Sequence, residues 1–315
     1  MRGEIEMLQE PMDVLQQHPI RKSKKQKATF RQDVTEYAKS LGYDVNVETK
    51  GSINNVVIGD PKTAKYLITA HYDTPAGMLI PNLITPCNFW LFLLYQIAVT
   101  VLIFLPSILA NLLLRYLGYT HDIAFSLSYI LLCVSLLFLY FGPANKNNAN
   151  DNTSGVVTVL ETAKSMPENL RERVCFVLFD QEELGLLGSS AYRKAHKKQS
   201  SDQIVLNLDC VGEGNDILFF PTAKLKKNKS MLTWLKSVQD TMGQKSITIR
   251  DKGFSVYPSD QAKFPYGVGI CALRRNKLCR YLSRIHTNRD TILEETNVNI
   301  LRACLTTLVS TDAVQ

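Results

Sequence analysis

Apolar and polar positions follow three different rhythms along this chain. From Phe30, the residues Val34, Tyr37, Ala38 and Leu41 recur at helical spacing, and Gly42 follows as a natural stop. Strand-like runs come next: VNVET (45–49), NNVVIG (54–59) and KYLITAH (65–71). Beyond residue 154 the two kinds of segment take turns. GVVTVLETAKSM (155–166) predicts a helix, RVCFVLFD (173–180) a continuous apolar strand, GLLGSSAYRKAHKK (185–198) a helix and IVLNLD (204–209) a strand. DILFF (216–220), SITIR (246–250) and GVGICAL (267–273) predict further strands, and MLTWLKSVQDTM (231–242) and NVNILRACLTTLVS (297–310) further helices. Strands alternating with helices predict an α/β fold, a mainly parallel mixed sheet with helices on both faces.

The third rhythm is unbroken apolarity. Between Phe89 and Phe141 the only formal charges are Arg115 and Asp122. Phe89–Leu114 would be about 39 Å long as a helix and Ile123–Phe141 about 28 Å, against a bilayer core of about 30 Å. Tilt, or a kink at Pro106, would accommodate the longer one. Trp90 and Tyr140 fall at one expected interface, Tyr116 and Tyr119 at the other, beside the short connector RYLGYTHD. The bland alternative is a hairpin buried in a soluble core; two adjacent charge-free segments of this length favour the membrane. The chain is thus expected to divide into a discontinuous soluble domain, 1–88 and 142–315, and a transmembrane hairpin, 89–141.

Composition changes this picture in three places. The net charge of +7 over 315 residues sits wholly on the flanks of the hairpin, which suits an anionic bilayer surface. The runs RKSKKQK (21–27) and KLKKNK (224–229) lack interleaved aromatics, so they read as solvated faces and no nucleic-acid partner is expected. The cysteines, seven with no C-x-x-C, suggest buried thiols in a reducing compartment. MRGEIEMLQEPMDVLQQ has no apolar core of a cleavable leader. Arg115 at the turn and Lys146 on the domain side balance, so the other features point to an integral membrane protein with its soluble domain on the cytoplasmic face.

Five short motifs carry candidate chemistry: HYD (71–73), NDNTSG (150–155), DQEELGLLGS (180–189), NLDCVG (207–212) and IHTNRDT (285–291). Each puts a metal-competent side chain at an expected strand end or helix start. They supply His71, Asp151, Glu183, Asp209 and His286, with Asp73 and Glu182 alongside. His18, before a proline, and His196, in a basic helix, are not expected to be ligands. Two neutral imidazoles and three carboxylates carry −3; two zinc ions and a shared hydroxide balance them to zero.

The ordered set His-x-Asp, Asn-Asp-x-Ser-Gly, Glu-Glu, Leu-Asp, His-Thr-x-x-Asp resembles the di-zinc aminopeptidases of metallopeptidase family twenty-eight (clan MH), over about 30–310 without the hairpin. The resemblance implies a zinc-exopeptidase fold and two Zn2+ ions bridged by Asp151. His71 and Asp209 would complete one ion, Glu183 and His286 the other. Glu182 would be the general base, and Asp73 the acceptor that orients His71. The implied function is an aminopeptidase acting on peptides with a free N-terminus. Glutaminyl cyclase, carboxypeptidase and an inactive membrane scaffold are the alternatives, and the complete ligand and base set argues against the first and the last. Ser259 and Asp260 in YPSDQAKF also resemble a family motif, with Gln261 where a histidine usually follows. Tyr257, Phe264 and Arg274 are candidate pocket-lining residues. The hairpin interrupts the loop between HYD and NDNTSG, so the domain would lie against the bilayer.

Overall fold

The structure is a computed structural model that describes residues 8–78, 80, 82–239 and 245–311. Among the described residues, nine strands form one sheet: β1 (Val45–Lys50), β2 (Ile53–Ile58), β3 (Tyr66–His71), β4 (Val174–Phe179), β5 (Ile204–Leu208), β6 (Asp216–Pro221), β7 (Ser246–Ile249), β8 (Tyr266–Arg275) and β9 (Arg280–Tyr281). Their order is β1-β2-β4-β3-β5-β8-β6-β7, with β9 paired to β8. The expected mixed sheet is present. Pairing is parallel across β4-β3-β5-β8 and between β6 and β7, and antiparallel elsewhere. Every residue of β3, β4 and β5 is buried, which is why these runs are apolar on both sides of the pleat.

Helices cover both faces. On one side, α1 (Lys24–Ser40) buries Phe30, Val34, Tyr37 and Ala38. Its Ser23–Gln26 capping box starts the helix a turn and a half before the apolar stripe does. The longer helices that follow are α2 (Phe89–Tyr116), α3 (His121–Phe141), α4 (Gly155–Ser165), α5 (Leu187–Ala195), α6 (Lys229–Lys236) and α7 (Glu295–Ser310). α4, α6 and α7 join α1 on the thicker face. The other face is closed by Tyr192 of α5 and by Phe264, packed over Leu67, Val177 and Val205. α6 ends six residues before the sequence pattern does, and residues 240–242 of that pattern lie outside the described residues.

α2 and α3 are long and apolar enough to cross a membrane by length and composition. Only 6% and 11% of their apolar windows are buried, so they are not core helices of the sheet domain. The chain leaves and re-enters that domain at one point: Ala76 and Ala144 form an antiparallel bridge. Gly77 N–H donates to Pro143 O at 2.8 Å, and Asn145 N–H to Pro75 O at 3.0 Å. Residues 82–88 still belong to the domain. Ile84 bridges Leu282, and Ile84 and Cys87 pack on the cluster around Leu218, Phe220 and Ile285.

This placement sets where the helices can be excised. Replacing Phe89–Phe141 with a short Gly/Ser linker is expected to leave a folded, water-soluble domain, because six linker residues reach about 20 Å and loop closure grows costly only slowly with length. A cooperative melt and monomeric elution without detergent would show it. Extending the cut back to residue 82 removes Ile84 from its cluster and should cost a further 1–3 kcal/mol or so. An excised chain that aggregates or melts without cooperativity would refute the insertion.

Candidate metal centre

The C-terminal ends of three neighbouring strands, β4, β3 and β5, build one side of the site, where open α/β sheets place their ligands. His71 is the last residue of β3, Glu182 and Glu183 lie in the turn after β4, and Asp209 follows β5. The two glutamates were expected at a helix start, but α5 begins only at Leu187. His286 arrives from the loop after β9, and Asp151 from the turn that opens α4.

That turn is held by the side chains of its own motif. Asn150 and Asp151 donate their backbone N–H groups to the buried Asp290 carboxylate at 2.7 and 2.9 Å. Gly212 N–H donates to Asn150 Oδ1 at 2.7 Å, and Asn152 Nδ2 donates to Leu208 O at 2.9 Å. Val211 N–H donates to Ser154 Oγ at 3.0 Å. The Asp151 turn is thus stitched to the turn that carries Asp209. Gly155 has to be glycine here, since a Cβ would sit 2.4 Å from Asn152 Oδ1 and 2.5 Å from Leu208 O. Three non-glycine residues with positive φ surround the site: Gln181, Cys210 and His286 itself.

All five sequence-predicted ligand residues converge. His71 Nε2 lies 3.3 Å from Asp151 Oδ1 and 3.9 Å from Asp209 Oδ1. His286 Nε2 lies 3.0 Å from Asp151 Oδ2 and 3.5 Å from Glu183 Oε2. Two triads therefore share Asp151 through different oxygens, and the ligand atoms of each lie within 4.8 Å of one another. Donors about 2.0–2.1 Å from a tetrahedral ion stand roughly 3.3–3.5 Å apart, so the spacing fits zinc. Glu183 Oε1 is buried without a hydrogen-bond partner, a further sign that the set is built for a cation.

Electrostatics agree. Burial would raise the Asp151 carboxyl, but hydrogen bonds from His286 and His71 hold it below the usual carboxylate range. Burial pushes Glu183 up to about 8 and Glu182 well above its ordinary value. Burial alone would lower both imidazoles. Instead the facing carboxylates, Glu182 first for His71 and Glu183 first for His286, raise His71 well above its ordinary value and His286 to about 9. A metal entering here displaces protons that the acids hold on the ligands.

Asp73 does more than orient His71. Its carboxylate accepts the N–H groups of Glu182 and Glu183 at 3.0 and 3.3 Å, fixing the turn that carries them. The carbonyl of Asp73 lies 3.2 Å from His71 Nδ1, closer than its carboxylate at 3.6 Å. His18 and His196 stay outside the centre, paired with Asp33 and Glu48 at 2.8 Å each.

Two sequence expectations need correction. The run at 21–27 is not simply a solvated face. Arg21 is fully buried between the HYD and NDNTSG loops, and Lys27 is buried against Asp180 at 2.6 Å. Arg21 Nε donates to Tyr72 O just past β3, and Lys27 meets Asp180 just past β4, so both cations lie beside loops that carry the site's acids. Nor do Phe264 and Arg274 line the pocket: Phe264 is core, and Arg274 faces Glu213 and stacks on Tyr281. Tyr257 donates its hydroxyl to Asp209 O at 2.9 Å, bracing a ligand turn. Ser259 and Gln261 both accept from the Asn207 side-chain amide under the site. Asp260 is buried beside them, and burial pushes it to about 7. The open space is a cleft of about 460 Å³ over Glu183 and His286, with the domain-side ends of α2 and α3 as its far wall.

Residues 137–310 match Peptidase family M28. The chain belongs to Peptidase family M28. The aminopeptidase YwaD of Bacillus subtilis (strain 168) is 44% identical over 69 residues, 20% of this chain and 15% of that protein. The LapA aminopeptidase of Legionella pneumophila has a similar fold, with a TM-score of 0.58 at 14% identity over 95% of this chain and 70% of its own. The glutaminyl cyclase of Macrostomum lignano superposes with a TM-score of 0.55 at 12% identity, over 98% of this chain and 95% of its own. These likenesses show the mixed α/β fold, a central sheet flanked by helices.

Proposed function

We propose that the protein is a membrane-anchored di-zinc aminopeptidase. The observation that carries this reading is the pair of ligand triads sharing Asp151. His71, Asp209 and one Asp151 oxygen would hold one ion; Glu183, His286 and the other oxygen would hold the second. Zinc bound there supplies Lewis acidity toward a peptide carbonyl and brings the pKa of water toward neutrality. Glu182 is within 4.8 Å of the ligand atoms of His71 and Glu183 and only partly buried, so its carboxylate can reach a reacting group in the cleft. It takes the proton of the attacking water and passes it to the nitrogen of the departing amine. Asp73 keeps Glu182 in place through its backbone.

Glutaminyl cyclase is the second reading, supported by the fold of the Macrostomum lignano enzyme. It would use one triad, and here both are complete. α2 and α3 would span the bilayer, with the catalytic domain on the cytoplasmic face, the side that its basic surface and its cysteine inventory favour.

The test is zinc-reconstituted full-length protein in detergent. Elemental analysis should give two zinc ions per chain, and peptides with a free N-terminus should lose that residue while N-acetylated ones stay intact. Less than one metal per folded chain, or cyclisation of N-terminal glutamine in place of hydrolysis, would overturn the reading.

A further inference from the structure

The contact between the apolar helices and the catalytic cleft is more than a tether requires. Loops at 82–88 and 142–148 would suffice to hang the domain on two helices. Instead the cleft that exposes Glu183 and His286 is walled by Tyr95, Gln96 and Val99 of α2 and Leu139, Tyr140 and Phe141 of α3. α2 runs on past them toward the domain, where Phe89 meets Phe254 with ring centroids 4.7 Å apart. Lys22 Nζ donates to Tyr140 O, holding the end of α3 to the domain.

The level of this wall follows from helix geometry. Gln96 stands twenty residues from Tyr116 at the far end of α2, and Phe141 twenty residues from His121 at the far end of α3. Each is thus about 30 Å from the turn, one hydrocarbon thickness. In the spanning arrangement proposed above, Gln96 and Phe141 would mark the domain-side boundary of the lipid. Val99 and Leu139 would lie about 3–5 Å below it on the same rise. The cleft would then open at the membrane surface, with its outer wall continuing as apolar side chains into the depth of the bilayer.

Resting on the aminopeptidase reading, we propose that the substrate is a polypeptide anchored in the same bilayer. Its free N-terminus would enter the cleft at headgroup level, and its following residues would descend along the wall made by Gln96, Val99 and Leu139. A bilayer-anchored chain meets this wall already confined to the right plane, which raises its effective concentration. A soluble peptide has no such confinement, and its polar backbone gains little from Val99 and Leu139.

The experiment uses the full-length zinc-loaded protein in phosphatidylcholine vesicles and the peptide Leu-Ala-Gly-Lys, either free or at the N-terminus of a twenty-residue apolar helix. The anchored form should be cleaved with the higher kcat/KM. Val99→Trp with Leu139→Trp should reduce the anchored-to-free ratio by about tenfold or more. Leu94→Trp with Leu137→Trp, the same bulk on exposed positions of the same helices, should leave the ratio unchanged. A photo-crosslinking residue at position 139 of the Glu182→Gln protein should capture the anchored peptide, and one at position 137 should not. An unaltered ratio in the wall variant, equal effects of the two pairs, or equal capture at 139 and 137 would overturn the proposal. Site-specific capture without any hydrolysis by the parent protein would instead overturn the aminopeptidase reading and leave the wall standing.

Discussion

Glu182→Gln is expected to lower kcat by about 10²–10⁴-fold while the zinc content stays that of the parent protein. Glutamine keeps the shape of the side chain and removes its capacity to take a proton. The backbone hold is untouched, since Asp73 accepts the N–H of residue 182, not its side chain. Glu182 groups with His71 and Glu183 but lies outside the two triads that share Asp151, and both of those sets stay complete in the variant, so the ions should keep their ligands. A loss of that size equals about 2.7–5.5 kcal/mol of transition-state stabilisation. Asp151→Asn supplies the contrast. It removes one charge from both triads at once and leaves His71 and His286 without their nearest acid. Zinc content should fall at both positions, measured after dialysis against a weak chelator. If Glu182→Gln lost its metal as readily as Asp151→Asn, the division between ligand and base would be wrong.

The convergence of the candidate ligand residues was legible in the sequence because each sits in a short motif whose neighbours fix it locally. Asn150, Asn152 and Ser154 hold the Asp151 turn with their own side chains, and Gly155 admits the close approach. The strands carrying His71 and Asp209 were legible because burial on both faces leaves a continuous apolar run. Asp290 stood within a quoted motif without a role; only the fold shows it gripping the Asp151 backbone. The pocket wall was not legible. Tyr95, Gln96 and Leu139 look like ordinary positions of apolar helices, and their place over Glu183 depends on how those helices meet the domain. Arg21 was hidden for the same reason. A basic run is usually solvated, and nothing local says which of its members the tertiary fold will bury.

Arg21→Met is expected to cost the metal-free protein about 3–5 kcal/mol, the loss typical when one partner of a buried charge arrangement is removed. The Arg21 side chain is fully buried. Its Nε donates to Tyr72 O at 2.5 Å, Nη1 to His18 O at 2.5 Å and Nη2 to Thr153 Oγ1 at 3.1 Å. Its backbone pairs with Thr74, at 3.1 Å from Arg21 N–H to Thr74 Oγ1 and 3.3 Å in return. One side chain thus ties the N-terminal segment to both ligand loops. Burial lowers its pKa to about 10, with Asp73 and Asp151 opposing that shift, so it remains charged at neutral pH. Methionine keeps an apolar stem and removes three donors and the charge. The carbonyls lose their partners, and Asp73 and Asp151 lose a buried cation that favours their charged forms. Zinc restores positive charge beside Asp151 and binds only the folded state, so saturating zinc should recover part of the lost stability by mass action. Arg21→Lys should fall between, since a lysine keeps the charge but not the planar fork. Thermal melts of the three proteins with and without zinc measure both effects. A Met variant less than about 1 kcal/mol weaker than the parent would show that the charge arrangement contributes little, and a deficit that zinc does not reduce would show that Arg21 acts on the loops alone.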